Sequence, residues 1–491
     1  MNLLMSKLLR STLSLLAART SSALLASLLL TACAVGPTYA PPAATTVTAW
    51  QAPVPHNGST ASLMRWWSRW NDTTLQGLID AAQVSHPTLE QAIARIAQAR
   101  AGLTIAGSNA LPNFTGSAAA NRGNSPGGFA SPGGTTSVSA TLQAAWELDL
   151  FGANRRGREA ADARFAARTI DWHQARVSLA AEVAAAYVNL RVNEALAVGY
   201  ERDAASRSET ARLTALKTNA GFEAPANAAL AQASAAEAAA RLTAQRAEVD
   251  LGVKALVALT GLTEASLRMT LAGGRAALPI PPPLAVPFPA TVLAQRPDLA
   301  SAERELAALT AEIGAAEADR YPRISLTGSL GYSVSRFAGI SSDGATWGFG
   351  PSLTVPLFDA GRRSANVELA KARYAESLAG YKAIAIRAVR EVEEALTQLQ
   401  SAQGRTSDVQ ASLAGYQAFE KAAQARLSAG AGSVLELQEA RRAVLAAQVA
   451  VLALERERLN AWISLYRAVG GGWDQAQVSP DSRVLVSEKT Q

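Results

Sequence analysis

The chain has 491 residues, 49% of them hydrophobic but only 6% aromatic, and a formal charge of +6. Three of those positive charges, Lys7, Arg10 and Arg19, precede residue 33, where no acidic residue occurs; removing three from +6 leaves +3, which gives no electrostatic case for binding nucleic acid. Alanine supplies much of the apolar count, which suits closely packed helices more than a thick core, and a lone cysteine excludes an internal disulfide.

Residues 1–32 combine a basic start, an apolar run from Ala23 to Leu30 and small residues before the cysteine, the pattern of a cleaved export signal. Leu30-Thr31-Ala32-Cys33 resembles the lipobox of bacterial lipoproteins, which implies cleavage before Cys33 and a covalent lipid on it; the alternative is an ordinary signal with an incidental cysteine. Ala34 stands where an aspartate would imply retention at the inner membrane, so the outer membrane is favoured. No other uninterrupted apolar run reaches the roughly 18 residues of a membrane helix, so any spanning element must be β.

Residues 33–85 read as a tether rich in Pro, Thr, Ala and Ser, followed by Trp66-Trp67-Ser68-Arg69-Trp70 and a short amphipathic helix through Leu75, Leu78 and Ile79. The tryptophans fit either a membrane interface or packing against the neighbouring body, and packing is favoured. A first repeat spans 86–271. Its helix runs from Pro87 to Ala110 and stops at Pro112; a hairpin follows at about 113–150, then a long helix at 152–219 and a second at 226–260. In the second strand of that hairpin Val138, Ala140, Leu142, Ala144, Trp146 and Leu148 alternate with mostly polar neighbours, the period of a strand with one wet face.

Residues 272–295 form a stiff connector with Pro279-Ile280-Pro281-Pro282-Pro283. A second repeat, 296–470, carries a helix ending before Pro322, a hairpin at about 323–358 with a loop from Gly339 to Ala345, a long helix at 359–429 and a last helix at 434–469; a tail, 471–491, reads as irregular. The two repeats match at an offset of 210 residues, drifting to 207: Pro87-Thr88-Leu89 with Pro297-Asp298-Leu299, Arg155-Arg156 with Arg362-Arg363, Ala220-Gly221 with Ala429-Gly430. Such a register fixes an internal duplication. Ala180, Val183, Tyr187 and Leu190, like Val389, Val392, Leu396 and Leu399, step by three and four, the seam of a coiled coil.

Four strands that are apolar on one face match transmembrane β-strands; two hairpins of a soluble sheet are the alternative. In hydrocarbon an open sheet edge leaves backbone groups unpaired, and four strands cannot close alone. Two chains would give eight strands and a filled interior, three would give twelve and an open lumen; wet faces of Ser, Thr and Gly favour a homotrimer.

These residues resemble the TolC-type outer-membrane efflux proteins, in their acylated, NodT-like branch. The resemblance rests on the lipobox at Cys33, Arg296-Pro297-Asp298-Leu299 with Ala302-Glu303, Tyr321-Pro322-Arg323-Ile324-Ser325-Leu326, Pro356-Leu357-Phe358-Asp359-Ala360-Gly361 and Glu391-Val392 with Ala395-Leu396. It implies a membrane α+β fold: a trimeric 12-stranded β-barrel with four strands per chain, continuous with a long periplasmic α-helical barrel. It implies a periplasmic adaptor and an inner-membrane pump as partners, helix tips at Ala220, Gly221, Ala429 and Gly430 that dock the adaptor, and a periplasmic gate at Leu435 and Glu439. Glutamate stands at 439 where the family has aspartate, and Pro225 beside the first tip has no counterpart in the pattern. The function implied is a passive duct for small toxic compounds or drugs; protein or oligosaccharide secretion and a lipid-anchored coiled-coil spacer are the alternatives. His56, His86 and His173 are scattered, no His/Cys pair has metal-ligand spacing, and no nucleophile motif occurs, so neither an enzyme nor a cofactor beyond the lipid on Cys33 is expected.

Overall fold

The structure, a computed structural model, describes residues 35–42, 50–51, 66–123, 134–273, 278–279, 281, 289–337 and 340–473. The export signal, Cys33, most of the proline-rich connector and the tail beyond Trp473 lie outside the described residues. In chain order the elements are α1 (Thr73–Ser85), α2 (Pro87–Ser108), β1 (Asn113–Gly123), β2 (Thr135–Leu148), α3 (Ala153–Asn219), α4 (Pro225–Thr260), α5 (Glu264–Ala272), α6 (Pro289–Ala294), α7 (Pro297–Ala318), β3 (Arg323–Phe337), β4 (Ile340–Thr354), α8 (Arg362–Ser428) and α9 (Val434–Ala468). The long helices α3 and α8 have 67 residues each, about 100 Å at 1.5 Å per residue.

One unit comprises Arg95–Thr169 and Ser301–Tyr381 with residues 35–42. Its sheet is antiparallel in the order β1-β2-β3-β4, so the hairpins of the two repeats join through β2 and β3, with Leu142 opposite Leu330 and Val138 opposite Val334. Where each hairpin passes into a long helix, an aspartate caps the turn. The Asp149 carboxylate accepts from the backbone N–H groups of Asn154 and Arg155, at 3.1 and 2.8 Å, and Asp359 accepts from those of Gly361 and Arg363, at 3.1 and 3.2 Å. These bonds satisfy the first free donors of α3 and α8. Small residues bring α3 and α7 together at Ala160, Ala308 and Ala311, and Arg164 of α3 reaches Glu305 and Glu312 of α7 at 3.2 and 2.6 Å. The segment after Cys33 is held here too: the Val35 N–H donates to the Phe151 carbonyl at 3.2 Å, and Gly36, at φ 99°, lies so close to Gly314 that a Cβ there would meet its Cα at 2.3 Å. Only glycine fits that crossing.

The other unit comprises residues Ile170–Ala300 and Lys382–Gln491 with Ala43–Ala94, within the described ranges. Trp66 is fully buried and stacks on Tyr466 at 4.9 Å, and Trp70 is buried beside it, so these tryptophans pack against the body and not at a membrane surface. The Asp72 side chain caps α1 at the Leu75 N–H (3.0 Å) and accepts the Tyr187 hydroxyl (2.8 Å), tying α1 to the α3 seam. Along that seam Ala180, Val183, Tyr187 and Leu190 are buried, as are Val392, Leu396 and Leu399 of α8, while Val389 is half-buried. Arg296 is buried with Asp298, Glu391 and the Ala468 carbonyl at 2.7 to 2.8 Å, an arrangement that leaves no buried charge unpaired.

Three expectations need correction. β4 begins at Ile340, so Ser341, Ser342, Asp343 and Gly344 are strand and not loop, because pairing with Ser333 to Arg336 overrides their turn chemistry. α2 ends at Ser108, two residues short of Ala110, where the Ala110 N–H turns back to the Gly107 carbonyl. The stretch around the connector contains helices α5 and α6; α5 is announced by Thr263, whose hydroxyl caps it at the Ser266 N–H.

Candidate functional site

The register sorts the sheet into two faces. On one lie Thr115 and Ser117 of β1, Ser139, Thr141 and Gln143 of β2, Ser325, Thr327, Ser329 and Ser333 of β3, and Thr346, Gly348 and Ser352 of β4. On the other, Gly116, Leu142, Leu330 and Trp347 form one row, and Phe114, Ala144, Gly328 and Phe349 the next. No described residue covers the apolar face, since Leu330 is 60% exposed, Phe349 76% and Trp347 81%. Among the described residues, the outer edges of β1 and β4 have no strand partner. At the end where the helices join, Trp146 donates its indole N–H to the Ala110 carbonyl at 3.0 Å, Phe151 stacks on Tyr321 at 4.7 Å, and Leu357 and Phe358 are each 91% exposed. A band of apolar side chains flanked by aromatics is the surface that a membrane barrel shows to lipid.

The second region lies at the tips of the helix pairs. After α3 the Gly221 N–H donates to the Thr218 carbonyl and the Phe222 N–H to that of Lys217; after α8 the Gly430 N–H donates to the Leu427 carbonyl and the Ala431 N–H to that of Arg426. Both glycines have positive φ, 77° and 73°, so each tip is a Schellman turn and the repeat holds bond for bond. Ala220, Gly221, Ala429 and Gly430 are all exposed, and so is Phe222. Pro225, unmatched in the family pattern, is the first residue of α4, where its fixed φ suits the helix and no donor is lost. The second tip has Val434 at that position and is capped by Ser433, its hydroxyl accepting from the Glu436 N–H at 3.1 Å.

Leu435 and Glu439 stand four residues apart on one face of α9, both exposed. Leu435 lines a cavity of about 460 Å³ with Leu230, Leu427, Lys217, Arg207 and Arg442. Sequence reasoning missed the pairing of Glu439 with Arg442 at 2.8 Å, although the spacing of three along a helix was its signal. It also missed the cross-links from α9 to α3, in which Gln438 donates to the Thr210 hydroxyl and Arg441 to the Ser206 hydroxyl, each at 2.6 Å. These join residues more than 200 positions apart, a proximity that only folding creates. Beneath them Arg207 is buried against Asp203 at 2.9 Å. At the first tip, the Asn227 side chain, the Ala224 backbone N–H and Lys217 hold the Glu223 carboxyl below the usual range. Among the described residues there is no cluster of metal-ligating side chains and no helix long and apolar enough to cross a membrane.

Residues 78–262 and 288–471, one match per repeat, fit the family described as outer membrane efflux protein. The chain is 32% identical over 479 residues to outer membrane protein OprJ of Pseudomonas aeruginosa, covering 93% of this chain and 96% of that protein. It is 29% identical to nodulation protein T of Rhizobium leguminosarum bv. viciae, covering 92% and 93%. Among solved structures it resembles the Campylobacter jejuni CmeC outer membrane channel, with a TM-score of 0.81 and 25% identity over 91% of this chain and 96% of that one. The fold class is that of the trimeric outer-membrane channels, in which four strands per chain build a shared twelve-stranded barrel and the long helices a periplasmic α-barrel. Two matched repeats, a four-stranded sheet open at both edges and full-length likeness to such channels place the chain in the outer membrane efflux protein family, as an outer-membrane efflux channel that extends into the periplasm.

Proposed function

We propose that three copies of this chain form a passive duct that takes small toxic compounds from an inner-membrane pump, through a periplasmic adaptor seated on the helix tips, and releases them outside the cell. The carrying observation is the sheet: one face of Ser, Thr and Gly, and, among the described residues, an uncovered apolar face and two edges without partners. Those edges are intolerable in lipid unless neighbouring copies pair with them. A wall of small hydroxyls and glycines binds nothing tightly, as a conduit requires, and the choice of cargo falls to the pump. The exposed Schellman turns at Gly221 and Gly430 offer an adaptor two near-identical docking points per subunit, while Leu435 and Glu439 narrow the passage at that end. Cys33 carries the lipid that adds a second hold on the membrane. No step in this role calls for catalysis or a cofactor.

The reading is tested in mild detergent, where the purified chain should migrate as a trimer that heat converts to monomer. A monodisperse monomer that stays soluble without detergent would overturn it.

A further inference from the structure

Two arginines on the lipid-side face of the sheet have no part in conduction. Arg122, Thr136, Arg336 and Ser341 form one row across β1 to β4, on the same face as Leu142, Leu330 and Trp347. Adjacent strands are about 4.8 Å apart, so the arginines, two strands from one another, stand roughly 10 Å apart at the backbone. Both are exposed, and neither makes an ion pair or hydrogen bond with a described residue. The acidic side chain on this face, Asp343, stands opposite Val334 one row inward and accepts the hydroxyl of Tyr332.

The height of the row selects the partner. From Leu148 to Val138 every second residue of β2 is apolar, and opposite them stand Ile324, Leu326, Gly328, Leu330, Tyr332 and Val334 of β3. Ten residue steps cover about 33 Å along a strand and about 25 Å along the membrane normal at the usual tilt, the height of the apolar band in outer-membrane barrels. The arginine row lies two residue steps, one row, further out, at the hairpin ends, whereas α2, α3, α7 and α8 all join the sheet at its opposite end. With the helices in the periplasm, this row stands at the headgroup depth of the outer leaflet. A guanidinium is costly at the bilayer centre and nearly free of cost at the interface. Its planar fork matches a phosphate through two parallel hydrogen bonds.

We infer that Arg122 and Arg336 form a binding site on the outer rim of the barrel for the phosphate of an outer-leaflet lipid, one site per subunit, which fixes the depth at which the barrel rides. The inference rests on the outer-membrane placement of the channel. The assembled full-length protein in mild detergent is examined by native mass spectrometry with two probes, bisphosphorylated lipid A and the same lipid stripped of its phosphates. The wild type should retain the phosphorylated probe at least about tenfold better, and Arg122→Gln with Arg336→Gln should lose roughly fivefold per arginine. Arg122→Lys with Arg336→Lys, which keeps the charge but not the fork, should fall between. Equal retention of the two probes by the wild type overturns the inference without any variant, and undiminished retention by the glutamine pair overturns the assignment to these residues. Displacement of the lipid by millimolar inorganic phosphate would mark a free-phosphate site and overturn the lipid assignment. The same spectra report subunit number, so a monomer would sink the channel reading separately.

Discussion

At the second helix tip, Glu439 is held by Arg442 of its own helix, so its acidic charge is partly neutralised within each subunit. An exposed pair of this kind contributes at most about 1 kcal/mol to stability, so its consequence is electrostatic. Arg442→Ala should leave folding intact and raise cation preference in planar bilayers, read from the reversal potential under a salt gradient; an unmoved potential would mean that Glu439 does not face the current. Leu435→Ala combined with Glu439→Gln should raise single-channel conductance, and unchanged conductance would put the constriction elsewhere. His173 carries a pH effect. Burial, helped by the neighbouring Arg176 charge, lowers its pKa from 6.5 to about 4, so the folded state disfavours the protonated ring. The stability it contributes is whole above pH 6.5 and declines as pH falls toward 4, because the unfolded chain takes up the proton first. His173→Gln should flatten the drop in melting temperature between about pH 7 and pH 4.5. An equally steep drop in the variant would assign it to other groups.

At the scale of the element, the strands carry the strongest constraint, since a side chain's parity decides whether it meets lipid or water. Leu330 and Ser329 are adjacent in β3, yet Leu330 lies in the apolar row and Ser329, opposite Gly348, in the wet one. Leu330→Lys should cost about 2 to 4 kcal/mol near the bilayer midplane and abolish assembly into heat-labile trimers, while Ser329→Lys should be tolerated and lower conductance. Equal tolerance of both would refute the assignment of faces. The long helices obey a different logic. Their seam residues are buried and their caps are built, but each hydrophobic strip is narrow, so α3 and α8 depend on neighbours as much as on their own sequence.

For the whole molecule, the proposed channel has two holds on the membrane, the barrel and a lipid on Cys33. The lipid proposed on Cys33, a diacylglyceryl group by the lipobox resemblance, would hold one end of the chain, whereas a closed barrel buries the whole apolar band. With Cys33→Ser behind a signal cleaved at the same bond, the protein should still float with outer-membrane vesicles as a trimer, and the lipid should be missing from its mass. Release into the soluble fraction would make the lipid the principal anchor.

The sequence alone determined what depends on local periodicity. The two repeats, both hairpins, the long helices to within three residues at each end and the tip glycines were legible because alternation, seam spacing and Gly or Pro punctuation are written in neighbouring residues. The tertiary structure decided what depends on distant partners. Ser341 to Gly344 became strand because β3 offered them bonds, Tyr187 came to satisfy Asp72, and Arg441 of α9 met Ser206 of α3. Each of these joins a donor to an acceptor whose separation along the chain says nothing about their separation in space. Alternation and strand count already implied an apolar face, open edges and a need for other copies of the chain; only the folded register decided which residues share each row, such as Leu142 with Leu330 and Trp347, because strand pairing joins residues far apart in sequence.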